Sequence, residues 1–96
     1  MFRLGLFTFA LALSAPAAAS SHYHAKPAVA PASAKFVLRD IVWRCGDAGC
    51  SAGESNSRPA IVCAVLARDV GTLLSFSVAG RAMSAQELEK CNARAR

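Results

Sequence analysis

Hydrophobic and polar positions alternate in residues 35–44, and this period of two predicts a strand. The stretch is rich in branched and aromatic side chains and has no helix cap before it. Asp40 breaks the pattern, because it falls on the same face as Phe36, Leu38 and Val42. We therefore expect one strand with a bulge or an edge position near residues 39–40.

A second alternating stretch, residues 72–78, predicts another strand. Leu74, Phe76 and Val78 would share one face, with small polar residues opposite. Residues 79–80 are Ala and Gly, which end it. Between the two predicted strands, residues 46–57 are rich in Gly, Ser, Asn, Asp and Glu, a composition typical of a loop.

A period of 3.6 residues follows that loop and predicts a helix ending near Val70. Its start is marked by the Ser57 hydroxyl and by Pro59 in the first turn, and its end by Gly71. One stripe is apolar: Cys63, Leu66, Ala67 and Val70. Residues 61–66 also suit a buried strand, so this alternative stays open.

A final helix is predicted to begin at Ser84. Ser84 and Glu87 have the spacing of a capping box, in which each side chain satisfies a free backbone N–H of the first turn. Leu88, Cys91 and Ala95 then share one face. The predicted fold class is α+β: a small disulfide-stapled domain of two or three strands packed with two helices.

The amino-terminal third is expected to lie outside that domain. Residues 1–19 have one positive charge, a run of about ten apolar residues and a small-residue cleavage site, the pattern of a secretory signal peptide. The run is too short for a spanning helix, which needs roughly 20 residues. Residues 20–34 contain two prolines and few large side chains, which indicates a disordered Ala/Pro-rich tether. The domain would then occupy residues 35–96.

Charge and side-chain chemistry narrow the function. Without Arg3, ten Lys and Arg residues face six Asp and Glu, a net charge of +4, but the basic residues are scattered. Nucleic-acid binding is therefore not expected. Both histidines, His22 and His24, lie in the predicted tether, so the domain has no base for a hydrolase. We expect no enzyme activity and no cofactor.

The four cysteines predict two disulfides, because export leads to an oxidising compartment, periplasmic or extracellular. The chain has no C-x-x-C pair, which argues against zinc binding. Geometry favours Cys63 with Cys91, because each lies on the apolar stripe of a predicted helix, and Cys45 with Cys50, because they flank a Gly-containing turn. Chain entropy favours either alternative pairing by only about 1 kcal/mol, which lies within the scatter of real disulfides.

Two hypotheses for function remain. In the first, the exported domain is a structural or interaction module that presents Trp43, Arg44 and the loop at residues 45–56 to an envelope protein or an anionic surface. In the second, processing after Ala19 leaves Ser20, Ser21 and His22 as a terminus that binds Cu(II) or Ni(II). A free amine, two backbone amides and the imidazole would supply four nitrogens in a plane.

A set of short motifs also resembles an uncharacterised family. They are Trp43-Arg44-Cys45-Gly46, Cys50, Ser57-Arg58-Pro59-Ala60, Cys63, Val70-Gly71, Ser75-Phe76 and Cys91-Asn92-Ala93. Members of that family are short exported proteins of Gram-negative bacteria. The resemblance implies export but no activity, substrate, cofactor or partner, and the oligomeric state stays open.

Overall fold

The computed structural model describes Gly5 and residues 21–96 of the 96-residue chain. Six strands and two helices follow one another as β1 (Tyr23–Pro27), β2 (Lys35–Leu38), β3 (Ile41–Gly46), β4 (Gly49–Ala52), α1 (Pro59–Val70), β5 (Leu73–Val78), β6 (Arg81–Ala82) and α2 (Ala85–Asn92). The α+β class is confirmed, with more strands than predicted. Apart from Gly5, the predicted signal peptide lies outside the described residues.

All six strands form one antiparallel sheet, in the order β2-β3-β4-β1-β5-β6. The first strand of the chain therefore lies near the middle of the sheet, between β4 and β5. The predicted disordered tether is wrong for residues 23–27, which form β1. Tyr23 is 1% exposed and Ala25 is fully buried. The strands β4 and β5 that flank Tyr23 and Ala25 are distant in sequence. The short alternation of residues 23–26 is therefore not enough to predict a buried strand.

The single strand predicted for residues 35–44 is also wrong, since β2 and β3 form a tight hairpin there. Arg39 and Asp40 make a two-residue turn, with φ of 48° and 66°. Two positive φ angles are characteristic of a type I′ turn, which usually contains Asn or Gly. Asp40 interrupts the hydrophobic alternation because it lies in this turn, not because of a bulge.

In β5 the predicted buried face is wrong at Leu74. Leu73 and Phe76 are buried, whereas Leu74 is 59% exposed. The register with β1 shifts between Lys26 and Pro27, so the alternation of β5 changes phase before Ser75. The short strand β6, which follows the turn at residues 79–80, was not predicted.

Both helices form where they were predicted. In α1 the first residue is Pro59, but its N-cap is Arg58 and not Ser57, and no side chain caps it. In α2 the cap is Ser84, whose Oγ accepts a hydrogen bond from the Glu87 N–H at 3.1 Å. The Ser84 hydroxyl is also hydrogen-bonded to the Glu87 carboxylate at 2.9 Å.

The helices pack on one face of the sheet and close a wholly apolar core. Tyr23, Trp43 and Phe76 form an aromatic cluster, with ring centroids 5.9–6.5 Å apart. The Asn92 side chain fixes the end of α2 to β5: Oδ1 accepts from the Leu73 N–H, and Nδ2 donates to the Leu73 carbonyl, both at 2.8 Å.

Two disulfides complete the domain, and their pairing is the one that we predicted. Cys45–Cys50 links facing residues of the β3–β4 hairpin, and Cys63–Cys91 links α1 to α2. Disulfides of this kind fit an oxidising compartment. Within residues 21–96, neither helix has the length and apolar character needed to cross a bilayer.

Candidate partner-binding surface

Among the residues that the structure describes, no helix packs against the second face of the sheet, and we call it the open face. Side chains alternate between the two faces along each strand. In β3, Ile41 and Trp43 are buried, whereas Val42 and Arg44 are exposed. In β1, likewise, His24 is exposed beside buried neighbours. The open face is therefore formed by residues that do not contribute to the core.

One row of side chains crosses the open face from β2 to β5. The register places Lys35 opposite Arg44, Arg44 opposite Ser51, Ser51 opposite His24, and His24 opposite Ser77. The row thus contains two permanent positive charges, a histidine and two hydroxyls. The described strands carry Lys, Arg and His but no Asp or Glu. The open face is therefore positively charged.

The pair of Lys35 and Arg44 is unusual for a sheet. Directly opposite residues of an antiparallel pair have Cβ atoms about 4.5–5.5 Å apart, and like charges there are destabilising. Both side chains are exposed, so neither is needed for the core. Folding alone therefore does not favour this pair.

An apolar pair lies beside this basic pair. Val37 and Val42 are directly opposite each other, one step nearer to the β2–β3 turn on the same face. Their exposed fractions are 60% and 41%. The outer hairpin therefore presents two aliphatic side chains next to two cationic ones.

Gly49 allows β4 and β1 to approach each other closely in the middle of the open face. Its φ is 113°, and a Cβ placed there would lie 2.6 Å from the Ala25 carbonyl oxygen and 3.2 Å from Cε1 of His24. A side chain at this position would therefore push β4 away from β1. Glycine allows the two strands to pair and lets the His24 imidazole lie over β4.

The predicted surface role is wrong for Trp43. Its side chain is 1% exposed and contacts the aromatic cluster, so it cannot reach a partner. Arg44, the next residue, is exposed and lies on the open face. The predicted loop at residues 45–56 is largely a hairpin, because Cys45 and Cys50 pair directly across β3 and β4.

In the structure, Lys35 and His24 lie in the same row as Arg44, which the sequence did not predict. Lys35 was predicted to lie on the same strand, and His24 on a separate tether. All three residues are basic and lie in short alternating stretches, but without the strand order the sequence does not show that they become neighbours.

The residues predicted to bind Cu(II) or Ni(II) are only partly described. Ser20 lies outside the described residues, Ser21 is exposed, and His22 is half-buried just before β1. The His22 ring packs edge-on against Tyr23, with centroids 4.7 Å apart, and its carbonyl accepts a 2.7 Å hydrogen bond from the Ala79 N–H. In the part of the chain that the structure describes, no three His, Cys, Asp or Glu side chains come together to hold a metal ion.

A family of unknown function, DUF8200, matches residues 7–93. This match extends over nearly the whole chain, including all eight elements of the fold. No curated protein matches the chain, and no solved structure does so either. The chain belongs to DUF8200, a family of unknown function.

Proposed function

We propose that this protein is an exported interaction module that binds an anionic membrane surface of the cell envelope through its open face. The main support for this proposal is the exposed pair of Lys35 and Arg44, two like charges that lie directly opposite each other. A surface of phosphate groups would neutralise both side chains and remove their repulsion.

The neighbouring valines favour a lipid surface over a purely polar anion. Val37 and Val42 would enter the boundary between head groups and acyl chains, while Lys35 and Arg44 stay at the level of the phosphates. Each basic residue near an anionic bilayer contributes about 1 kcal/mol. Two such residues give weak binding, so the apolar pair and a localisation in the envelope would be needed as well.

The export part of the proposal is supported by the sequence of residues 1–19 and by the two disulfides. Residues 1–19 have the three-part pattern of a signal peptide. The disulfides fit the oxidising environment that such a signal leads to. Mass spectrometry of the protein from the envelope fraction should give a chain that begins at Ser20 and is lighter than its reduced form by four hydrogen atoms, two for each disulfide.

Vesicle co-sedimentation tests the proposed partner. Residues 20–96 should bind vesicles that contain phosphatidylglycerol and should not bind neutral phosphatidylcholine vesicles. The double variant that carries both Lys35→Gln and Arg44→Gln should bind these vesicles roughly 30-fold more weakly, the equivalent of about 2 kcal/mol. A control, Arg58→Gln with Lys90→Gln, removes the same charge from exposed positions outside the sheet.

The control variant should retain binding within about threefold, and added salt should weaken binding of the parent chain, because exposed charges are screened. Equal losses in the two double variants would show that only net charge matters and would overturn the proposed site. Equal binding to neutral vesicles would exclude an anionic surface. Capture of an acidic envelope protein, with no vesicle binding, would assign the open face to a protein partner instead.

The terminus Ser20-Ser21-His22 is a second candidate for function, as a Cu(II) or Ni(II) site. Ser21 and His22 precede β1, so these two residues lie outside the strands of the sheet. Titration of Cu(II) should give tight binding to a chain that begins at Ser20, and binding should weaken as the pH falls, because protons compete for the nitrogens. One extra amino-terminal alanine should abolish it, so equal affinities would refute the site.

A further inference from the structure

A cleft on the helix side of the domain is separate from the open face. It is open to solvent, has a volume of about 490 Å³, and lies between α1, the β2–β3 turn and the residues after α2. Its lining consists of Arg39, Ala60, Ile61, Ala64, Val65, Arg68 and Arg94. This volume falls in the range of small-molecule sites, about 300–1,000 Å³.

The floor of the cleft is a second apolar face of α1. The first face, with Val62, Cys63, Leu66 and Ala67, is buried in the core. The floor residues Ala60, Ile61, Ala64 and Val65 follow helical spacing on the next stripe, and Ile61 is 44% exposed. A helix packed on one side only needs one apolar stripe. The second stripe is therefore more apolar than the fold requires.

Three arginines surround this floor, each from a different part of the chain. Arg68 belongs to the last turn of α1. Arg94 is placed beside α1 by the Cys63–Cys91 disulfide and by its own N–H, which donates to the Cys91 carbonyl at 3.1 Å. The lining contains no acidic residue. Asp69 lies in the adjoining groove, with Arg96.

Arg39 comes from the β2–β3 turn and occupies it against local preference. Its φ is 48°, in the left-handed region where Gly and Asn are favoured and other residues cost about 1 kcal/mol or more. A turn chosen for stability would have Asn or Gly there. Arginine adds to the turn a long cationic side chain that lines the cleft.

We propose that this cleft binds one amphiphilic anion, an alkyl chain with an anionic phosphate head group. The alkyl chain would lie on Ile61, Ala64 and Val65. The head group would be held by the guanidinium groups of Arg68 and Arg94, with Arg39 closing the site. Arginine suits this role because its planar fork binds phosphate through two parallel hydrogen bonds.

Binding of octyl phosphate, below the concentration at which it forms micelles, tests the proposal on residues 20–96. NMR amide shifts should move in α1 around Ile61 and Arg68. The emission of Trp43 should also change, since the only tryptophan lines a small crevice with Arg39, Ile61 and Val65. Octyl glucoside has the same chain and a neutral head, and should bind at least tenfold more weakly. Inorganic phosphate should also bind at least tenfold more weakly.

Matched variants locate the site. Arg68→Gln and Arg94→Gln should each weaken octyl phosphate binding at least fivefold, and Ile61→Ser should do the same through the alkyl chain. Arg81→Gln, at an exposed position of β6, should leave it unchanged. A thermal melt of each variant checks the fold; if a variant is unfolded, Arg68→Lys keeps the charge, loses the fork and should still bind at least threefold more weakly.

Equal binding of octyl phosphate and octyl glucoside would overturn the proposal, and so would equal effects of Arg68→Gln and Arg81→Gln. The double variant Lys35→Gln with Arg44→Gln should keep full binding to the cleft. Loss of octyl phosphate binding in that variant alone would place the amphiphile on the open face. The cleft and the vesicle surface can thus fail independently.

Discussion

The two faces of the sheet are built from alternate residues of the same strands, yet they differ in almost every property. On the covered face, Tyr23, Trp43 and Phe76 are at most 1% exposed and lie among apolar neighbours. On the open face, His24, Lys35 and Arg44 are exposed and polar. Since the covered face stabilises the fold, residues of the open face can be selected for binding.

Deletion of β1 should have the largest effect, because this strand contributes to both faces. A chain that begins at residue 35 would lack Tyr23 and Ala25 from the core and would leave β4 and β5 without their common neighbour. We expect no cooperative unfolding transition by circular dichroism. A chain that begins at residue 21 should unfold cooperatively. Similar transitions for both would contradict the central place of β1.

Trp43→Ala and Arg44→Ala compare the faces at adjacent positions. Trp43→Ala should lower the free energy of unfolding by about 3–5 kcal/mol, because it leaves a cavity among aromatic side chains. Arg44→Ala should change it by about 0.5 kcal/mol or less. Urea denaturation followed by far-UV circular dichroism measures both. Comparable losses would show that the open face also stabilises the fold.

Removing each disulfide in turn compares a link between the two helices, Cys63–Cys91, with a link inside one hairpin of the sheet, Cys45–Cys50. Replacing Cys63 and Cys91 by alanine opens a loop of sequence separation 28 and should cost about 3.6 kcal/mol. The same change at Cys45 and Cys50, of separation 5, should cost about 2 kcal/mol. Denaturation of the two double variants should preserve this order, and the reverse order would contradict it.

Gly49→Ala tests the close approach of β4 and β1 on the open face. The new Cβ would meet the Ala25 carbonyl oxygen, and φ is positive, so we expect a cost of about 1–3 kcal/mol. Gly46→Ala is the matched control, since a Cβ there has nothing within 4 Å. Thermal melts should separate the two variants, and equal melting temperatures would refute the predicted clash.

Sequence patterns predicted the carboxyl-terminal half of the domain better than the amino-terminal half, for a physical reason. The bounds of α1 and α2 follow from local signals: Pro59 in a first turn, Gly71 after a last turn, and the Ser84 cap. Such signals act within a few residues. Both helices could therefore be placed without knowledge of their tertiary partners.

In the amino-terminal half, β1 depends on pairing with distant segments, and the β2–β3 hairpin has a turn without the usual sequence signal. β1 contains a lysine and a proline, and only its position between β4 and β5 makes it a strand. The β2–β3 turn contains Arg39 and Asp40, which lack the usual glycine signal. The candidate site was missed for the same cause: Arg44 was predicted, but its neighbours Lys35 and His24 are set by register.

The position of β1 also has a consequence for the time at which the protein can fold. The first described strand, β1, pairs with residues 50–52 and 73–78, so the middle of the sheet cannot close until residue 78 is available. Contacts between such distant segments slow folding. The β2–β3 and β3–β4 hairpins can form early, but β1 lacks one of its two neighbours until most of the chain has been made. Such a delay would suit the proposed export, in which a polypeptide is threaded through a membrane before it folds.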